Sequence, residues 1–299
     1  MSATPDAPLI QHATELLVRA VEQKTGWVVS EIVRDKLLRI LQGQPGSTVM
    51  RWVEHLVEMP QDRPEWLAVV ENFTVHETFF FRDWPQLEQL RQRIIPELIR
   101  AAEGNRRSLR LLSAGCATGE EAYSLAMLAL EALEQCNYAV RTCDNVLVPA
   151  SGWSLKLLGT DLARAALIQA ERGLYYDGPG LSPFRQFVSS YDFWFDTIPS
   201  TPRTPRQRQV KNKLRDLIEF RWCNLVISMP PGTPPFDVAV CRNVLIYLTP
   251  TARRQVLATL AAAVRPGGWL LLGPTDRIDD PSLWEAVQSE TTVVYRRKK

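Results

Sequence analysis

Residues 109–124 read LRLLSAGCATGEEAYS. Leu109, Leu111 and Leu112 form a short apolar run with the character of a buried strand. Ser113, Ala114, Gly115 and Cys116 close it in small residues. A helix is expected from about Thr118–Gly119, with an apolar run continuing to Ala132. Strand, small-residue turn and helix together let a ligand's polar end approach bare backbone N–H groups at a helix N-terminus. The spacing is neither that of a dinucleotide GxGxxG nor that of a P-loop.

Two glutamates, Glu120 and Glu121, occupy the first helical turn. They suit the helix dipole and would repel a phosphate. A ligand carrying positive charge and hydroxyls fits better than a polyphosphate. S-adenosylmethionine, with its sulfonium, ammonium and ribose diol, has that chemistry.

Outward from this stretch, the chain alternates strand and helix patterns, which argues for a parallel sheet. Strands are expected at 110–114, 155–160, 218–222, 237–241 and 269–273. A β-branched run at 291–295 suggests a closing strand, for which antiparallel orientation is open. Helices fall at about 120–134, 163–171, 251–265 and 281–289. Pro266-Gly267-Gly268 reads as a turn before the Trp269 strand. The crossover at 135–154 is longer than usual. Residues 1–75 read as a small helical unit. Ile10, Ala13, Leu17, Ala20 and Val21 make one stripe; Val33, Leu37, Ile40 and Leu41 make another, with Ser30 a candidate N-cap. Ser47 is a candidate cap for a third helix that turns Trp52, Val53, Leu56 and Met59 inward. Pro64 suits the first turn of a fourth.

Between Gly173 and Leu217 the alternation stops. This region holds five prolines, the aromatics Phe184, Phe187, Tyr191, Phe193, Trp194 and Phe195, and a basic run of Arg203, Arg206, Arg208, Lys211, Lys213 and Arg215 without an acid between Thr197 and Arg215. Two readings stand here: a solvated, mobile loop, or an inserted subdomain presenting positive charge to an acidic partner.

The 299 residues suffice for one large domain or two modest ones, and the net charge of +2 gives no global pull toward nucleic acid. The five cysteines lack metal-ligand spacing and read as reduced thiols. No signal-peptide pattern is seen, and no apolar run approaches the ~20 residues of a membrane span. A cytoplasmic protein is expected, with no nucleic acid and no membrane insertion.

Four more segments carry chemistry. Asp161 ends the second strand, where an acid accepts hydrogen bonds from a ribose diol or caps the next helix. Arg242 and Asn243 follow the fourth strand, and so face the same crevice as Gly115 and Asp161. Tyr247 either projects over that opening or packs on a short helix. Asn224-Leu225, after the third strand, would flank an adenine. Residues 76–82, HETFFFR, read first as a core anchor with a salt bridge. Arg82 follows three aromatics, and near an enclosed site its fork could grip a carboxylate.

Together these blocks resemble the CheR family, S-adenosylmethionine-dependent methyltransferases that esterify glutamates on bacterial chemotaxis receptors. The resemblance spans about residues 10–297 and rests on five blocks in order: Thr78 with Phe80-Phe81-Arg82, residues 115–124, Gly159-Thr160-Asp161, Asn224-Leu225, and Phe236-Asp237 with residues 241–247. It implies an α/β fold with a Rossmann-like class I methyltransferase sheet, a small all-helical N-terminal domain and an inserted subdomain. The expected boundaries are 1–75 and 76–299, with the insert at about 174–216. It implies a cofactor site of Thr78, Arg82, Glu121, Asp161, Asn224, Leu225, Arg242 and Asn243, with His76 and Gly115 beside them. Arg82 and Tyr247 would lie near the transferred methyl group, with S-adenosylhomocysteine as the product. The implied partner is the acidic helical region of chemotaxis-type receptors, approached by the helical domain of a monomer. Arg34, Lys36 and Arg39, rather than the insert, then form the docking face. A glutamate with a pKa near ~4.3 is already ionised at neutral pH and needs no general base.

Three positions depart from the family pattern. His76 stands where Asn is usual, Gly273-Pro274-Thr275-Asp276 replaces Gly-His-Ser-Glu, and the insert is richer in proline and basic residues. These departures favour two alternatives: a methyltransferase acting on a different target, or a cofactor-binding regulator without turnover.

Overall fold

The computed structural model describes residues 6–42, 45–74, 77–104, 106–180, 182–187, 189–201, 205–278, 281–288 and 292–299. Four helices open the chain: α1 (Ala7–Thr25), α2 (Glu31–Leu41), α3 (Gly46–Glu58) and α4 (Pro64–Glu71). Helix α1 stops at Gly26, whose φ of +71° is the left-handed conformation a glycine adopts without strain. The Ser30 hydroxyl accepts from the Val33 N–H and caps α2, as expected. Helix α3 starts at Gly46 after Pro45, so Ser47 is its second residue rather than its cap. Val53 and Leu56 point inward as expected, whereas Trp52 is exposed. The helices share a core built from Leu17, Val21, Val53, Leu56, Trp66 and Val70.

A further helix, α5 (Trp84–Gln89), passes through one π turn at Leu90–Ile94 into α6 (Ile95–Glu103). Pro96 lacks the N–H that would continue the regular ladder, so the re-registered turn falls just before it.

The remaining chain alternates as expected. Strand β1 (Ser108–Ala114), α7 (Glu120–Gln135), the short hairpin β2 (Ala139–Arg141) and β3 (Leu147–Pro149), β4 (Ser154–Asp161) and α8 (Arg164–Arg172) come first. Then follow β5 (Leu174–Tyr176), β6 (Phe195–Ile198), β7 (Gln207–Val210), α9 (Asn212–Arg215), β8 (Ile218–Trp222), β9 (Phe236–Cys241), α10 (Pro250–Ala263), β10 (Val264–Leu272), β11 (Trp284–Gln288) and β12 (Val293–Arg297). Seven strands form one sheet in the order β11-β12-β10-β9-β1-β4-β8. Five consecutive strands, from β10 to the edge strand β8, pair in parallel, and β12 and β11 add antiparallel. Side chains alternate across it: Leu109, Leu111, Val238 and Val240 face the α7 side, while Leu112, Ala114, Ala239 and Cys241 face the α10 side.

Two expectations change. The helix expected at 281–289 is not formed in its described part, 281–288: Trp284–Gln288 form β11 instead, because β12 offers a free edge that pairs from Trp284↔Arg297 to Gln288↔Val293. Pro266-Gly267-Gly268 lies inside β10, where the register with β9 shifts between Val264 and Trp269, instead of preceding the strand. Of the two readings of 173–217, the described residues favour the inserted subdomain over the loop: β5, β7 and β6 make a three-stranded antiparallel sheet. Its aromatics are core, not loop. The Phe80 ring meets Tyr175, Phe184 and Phe195 at centroid distances of 5.0, 5.0 and 5.2 Å, and Trp194 is fully buried. Its basic run is partly neutralised. Arg206 and Arg208 both pair with Asp177, Arg208 also reaches Asp192, and Lys213 reaches Asp144; Arg203 lies outside the described residues.

Among the described residues, no helix is long and apolar enough to cross a membrane.

Candidate functional site

In a doubly wound sheet, the strand order reverses where successive crossovers leave on opposite sides. Here that point lies between β1 and β9. The crevice beyond their C-terminal ends is where such sheets bind ligands. It holds a cavity of about 850 Å³, part of it open to solvent, within the roughly 300–1,000 Å³ of small-molecule sites.

The loop after β1 forms its floor. Gly115 has φ +81°, and a Cβ there would come within 2.3 Å of Val244 Cγ2. Only glycine lets β1 and the β9 loop approach so closely. The bare N–H groups expected at this turn are not bare. Gly115 and Cys116 both donate to the Thr160 carbonyl, at 2.7 and 2.9 Å, and Ala117 N–H donates to Asp161 Oδ2 at 2.8 Å. The turn is tied to the end of β4 because the two strands run in parallel register up to Ala114 and Thr160.

Asp161 therefore has two roles in one side chain. Its Oδ1 accepts from Ala163 N–H at 2.9 Å just before α8, and the carboxylate also lines the cavity. Each carboxylate oxygen can accept more than one hydrogen bond, so the backbone ties leave capacity for hydroxyls.

Glu121 is a clamp. Its Oε1 accepts from Ser113 Oγ at 2.7 Å and its Oε2 from Arg242 Nε at 2.8 Å. Arg242, 5% exposed, donates onward to the Arg82 carbonyl at 2.7 Å. This buried pair joins β1, α7, β9 and the 77–83 segment. Removing one partner of such a pair typically destabilises by about 3–5 kcal/mol.

Phe79, Phe80 and Phe81 anchor the segment in the core as read, while Arg82 is half-buried and its guanidinium donates to the Glu77 carbonyl at 2.9 Å. Its neighbour Phe81 has φ +59°, an outlier for a bulky residue, and donates its N–H to Ser124 Oγ at 3.0 Å. That kink turns Phe80 and Phe81 into the core and leaves Arg82 lining the cavity. Arg185 stacks on Phe79 with its guanidinium carbon 3.8 Å from the ring centroid, and it pairs with Glu77 at 2.9 Å.

Asn224 Nδ2 donates to the Lys24 carbonyl and to Gln61 Oε1, both at 2.7 Å, while its Oδ1 accepts from Val226 N–H. It ties the cavity to the N-terminal helices. Asn243 adopts φ +58°, which asparagine tolerates better than most residues. Tyr247 ends the 3-10 turn Leu245–Tyr247.

Thr78, Arg82, Gly115, Glu121, Asp161, Asn224, Leu225, Arg242, Asn243 and Tyr247 all line this one cavity. His76 lies outside the described residues. The sequence reading missed Thr25, Trp27 and Glu77, which line it as well. The glycine that ends α1 is the single sequence signal near Trp27.

Burial pushes Glu120, beside the cavity's helix, up to about 7, although the Thr118 hydroxyl donates to it at 2.6 Å. Burial also raises the Cys116 and Cys241 thiols, and raises Cys223 to about 12, so none is a thiolate nucleophile near neutral pH. Asp276, in the stretch that departs from the family pattern, is buried behind Asn243 and titrates higher than usual because of that burial. Among the described residues, no group of three or more His, Cys, Asp or Glu side chains could hold a metal.

A family model described as "CheR methyltransferase, SAM binding domain" matches residues 76–294. The chain is similar to "Chemotaxis protein methyltransferase 1" of Pseudomonas aeruginosa, 35% identical over 234 residues that cover 77% of each chain. It is 29% identical over 271 residues to "Chemotaxis protein methyltransferase Cher2" of Pseudomonas putida, covering 89% of this chain and 90% of that one. It is 31% identical over 236 residues to "Chemotaxis protein methyltransferase 1" of Vibrio cholerae, covering 78% and 76%.

Proposed function

This chain belongs to the CheR methyltransferase family, and on that premise we propose that it methylates glutamate side chains in the acidic helical region of chemotaxis-type receptors. It works as a cytoplasmic monomer, with S-adenosylmethionine as methyl donor. One observation carries the reading: Arg82, Glu121, Asp161, Asn224, Arg242 and Tyr247, drawn from five separate sequence blocks, line a single cavity at the sheet's switch point.

The residues present fit the cofactor. Its cradle is closed to any side chain at Gly115. Asp161 would hold the ribose hydroxyls. Leu162, Leu225, Val226 and Leu248 would pack the purine. The aromatic faces of Trp27 and Tyr247 tolerate positive charge. When bound, S-adenosylmethionine supplies a methyl group on a sulfonium and leaves as S-adenosylhomocysteine.

What remains for the protein is placement. A target glutamate is ionised at neutral pH, so no residue must remove a proton. The Arg82 fork would orient the incoming carboxylate, and Tyr247 would border the line of transfer. The Glu121–Arg242 clamp holds the Arg82 backbone in place. Closing the crevice excludes water that would solvate the nucleophile. The ester removes one negative charge from the target, which is the signal.

Incubation with receptor-containing membranes and a radiolabelled methyl donor tests this. Label should enter receptor bands and be released as volatile methanol in base. Label that survives base, or enters another class of molecule, would overturn the assignment.

A further inference from the structure

The Tyr247 side chain is held in an unusual way. It ends a single 3-10 turn, too short to fix a ring by itself, and among the described residues nothing hydrogen-bonds its hydroxyl. The phenol instead lies flat on the indole of Trp27, with centroids 5.1 Å apart and planes 6° from parallel. The indole is itself fixed by backbone. Trp27 forms an isolated antiparallel bridge with Leu248, Val28 N–H donates to the Tyr247 carbonyl at 2.8 Å, and Thr249 N–H donates to the Gly26 carbonyl at 2.9 Å. The strap lies so close to α10 that a Cβ on Gly26 would come within 2.2 Å of Ala252 Cβ. Both rings line the cavity.

We infer that Trp27 is a positioning residue for Tyr247, so that a side chain from the N-terminal helices completes the reaction site. The inference rests on the reading of Tyr247 as a group at the reacting centre. The indole adds no reacting atom. It limits the swing of the phenol about its side-chain torsions and keeps it facing the crevice, as an offset ring pair does. Positioning of this kind acts on turnover more than on cofactor affinity.

A double-mutant cycle on the full chain tests it, with Trp27→Ala, Trp27→Phe, Tyr247→Ala and the Trp27→Ala/Tyr247→Ala pair. A lost ring stack corresponds to roughly a three- to tenfold change. Trp27→Ala should lower kcat by about that factor, with KM for receptor and Kd for S-adenosylhomocysteine within about threefold of the parent. Trp27→Phe, which keeps a flat ring, should recover most of the loss. The double variant should be no slower than Tyr247→Ala alone. The near-UV circular dichroism should change alike in both single alanine variants. Should Trp27→Ala fail to fold, Trp27→Leu keeps the apolar volume without the ring and carries the comparison.

The inference is overturned if Trp27→Ala turns over like the parent while Tyr247→Ala does not, or if the two losses multiply. It also fails if S-adenosylhomocysteine binding collapses with kcat intact, which would make Trp27 a wall of the cofactor pocket. Parental turnover by Tyr247→Ala is a different failure: it removes Tyr247 from the reacting centre and the premise with it.

Discussion

Asp161 shows how one side chain serves both structure and ligand. Its carboxylate holds the Ala117 and Ala163 N–H groups and borders the cavity. Asp161→Ala should weaken S-adenosylhomocysteine binding at least about tenfold, because charge-assisted bonds of roughly 1.5–3 kcal/mol disappear. Calorimetry on the folded variant measures this, and unchanged affinity would remove Asp161 from the site. The melting temperature should fall too, since two N–H groups lose their acceptor. Glu120 makes a separate prediction. Its carboxyl titrates at about 7 in the fold against an ordinary 4.5. Between those values the native state keeps a proton that the unfolded chain has released. Stability is therefore full below about pH 4.5 and declines as pH rises through 7. Glu120→Gln keeps the acceptor for Thr118 without the charge. It should gain stability on the order of 1–3 kcal/mol above pH 7 and match the parent near pH 4.5. Chemical denaturation at both pH values checks the sign.

At the scale of elements, legibility followed how locally each is determined. Strands β1, β4 and β9 were readable because a buried parallel strand is a mostly apolar run ending in small or polar residues, and the edge strand β8 because Ile218, Phe220 and Trp222 alternate with Glu219 and Arg221. Strand β11 was not. Pro281 and the mixed run after it satisfy a helix just as well, and the deciding partner is the edge of β12, whose paired residues lie 5 to 13 positions on. Helices α5 and α6 were obscured by Pro85 and Pro96. The insert looked mobile because its prolines and arginines dominate the composition. The acids that pair with those arginines, Asp177 and Asp192, precede the basic stretch, and its aromatics pack on Phe80 from a distant segment. We propose α2 as the docking element in preference to the insert: Lys36 and Arg39 are exposed, Arg34 is half-buried, and none has a carboxylate partner among the described residues. Replacing Arg34, Lys36 and Arg39 by Glu should raise KM for receptor several-fold and leave cofactor affinity alone, with the parent's KM rising with salt. A salt-independent parental KM, or no effect of the reversal, would exclude docking through this face.

Across the whole molecule, the site is a joint between two structural parts. The switch point and the residues at the strand ends were legible, since the doubly wound pattern dictates where a ligand sits. The contribution of the first helices was not, because contacts such as Asn224 to Lys24 and Gln61 span more than 160 residues and leave no local mark. We propose that residues 1–75 act as a substrate-presenting unit on the sheet-bearing remainder. That unit is nevertheless stitched to the cavity by the Asn224 amide, the Gly26 strap and the Trp27 ring. Anyone building chimaeras to redirect receptor choice would cut after α4, which ends at Glu71. A donor with a different residue at position 27, or a side chain at position 26, would then arrive without its matching surface on Tyr247 and Ala252. Such a hybrid should recognise its new receptor and methylate it slowly until those seam positions are exchanged along with the helices.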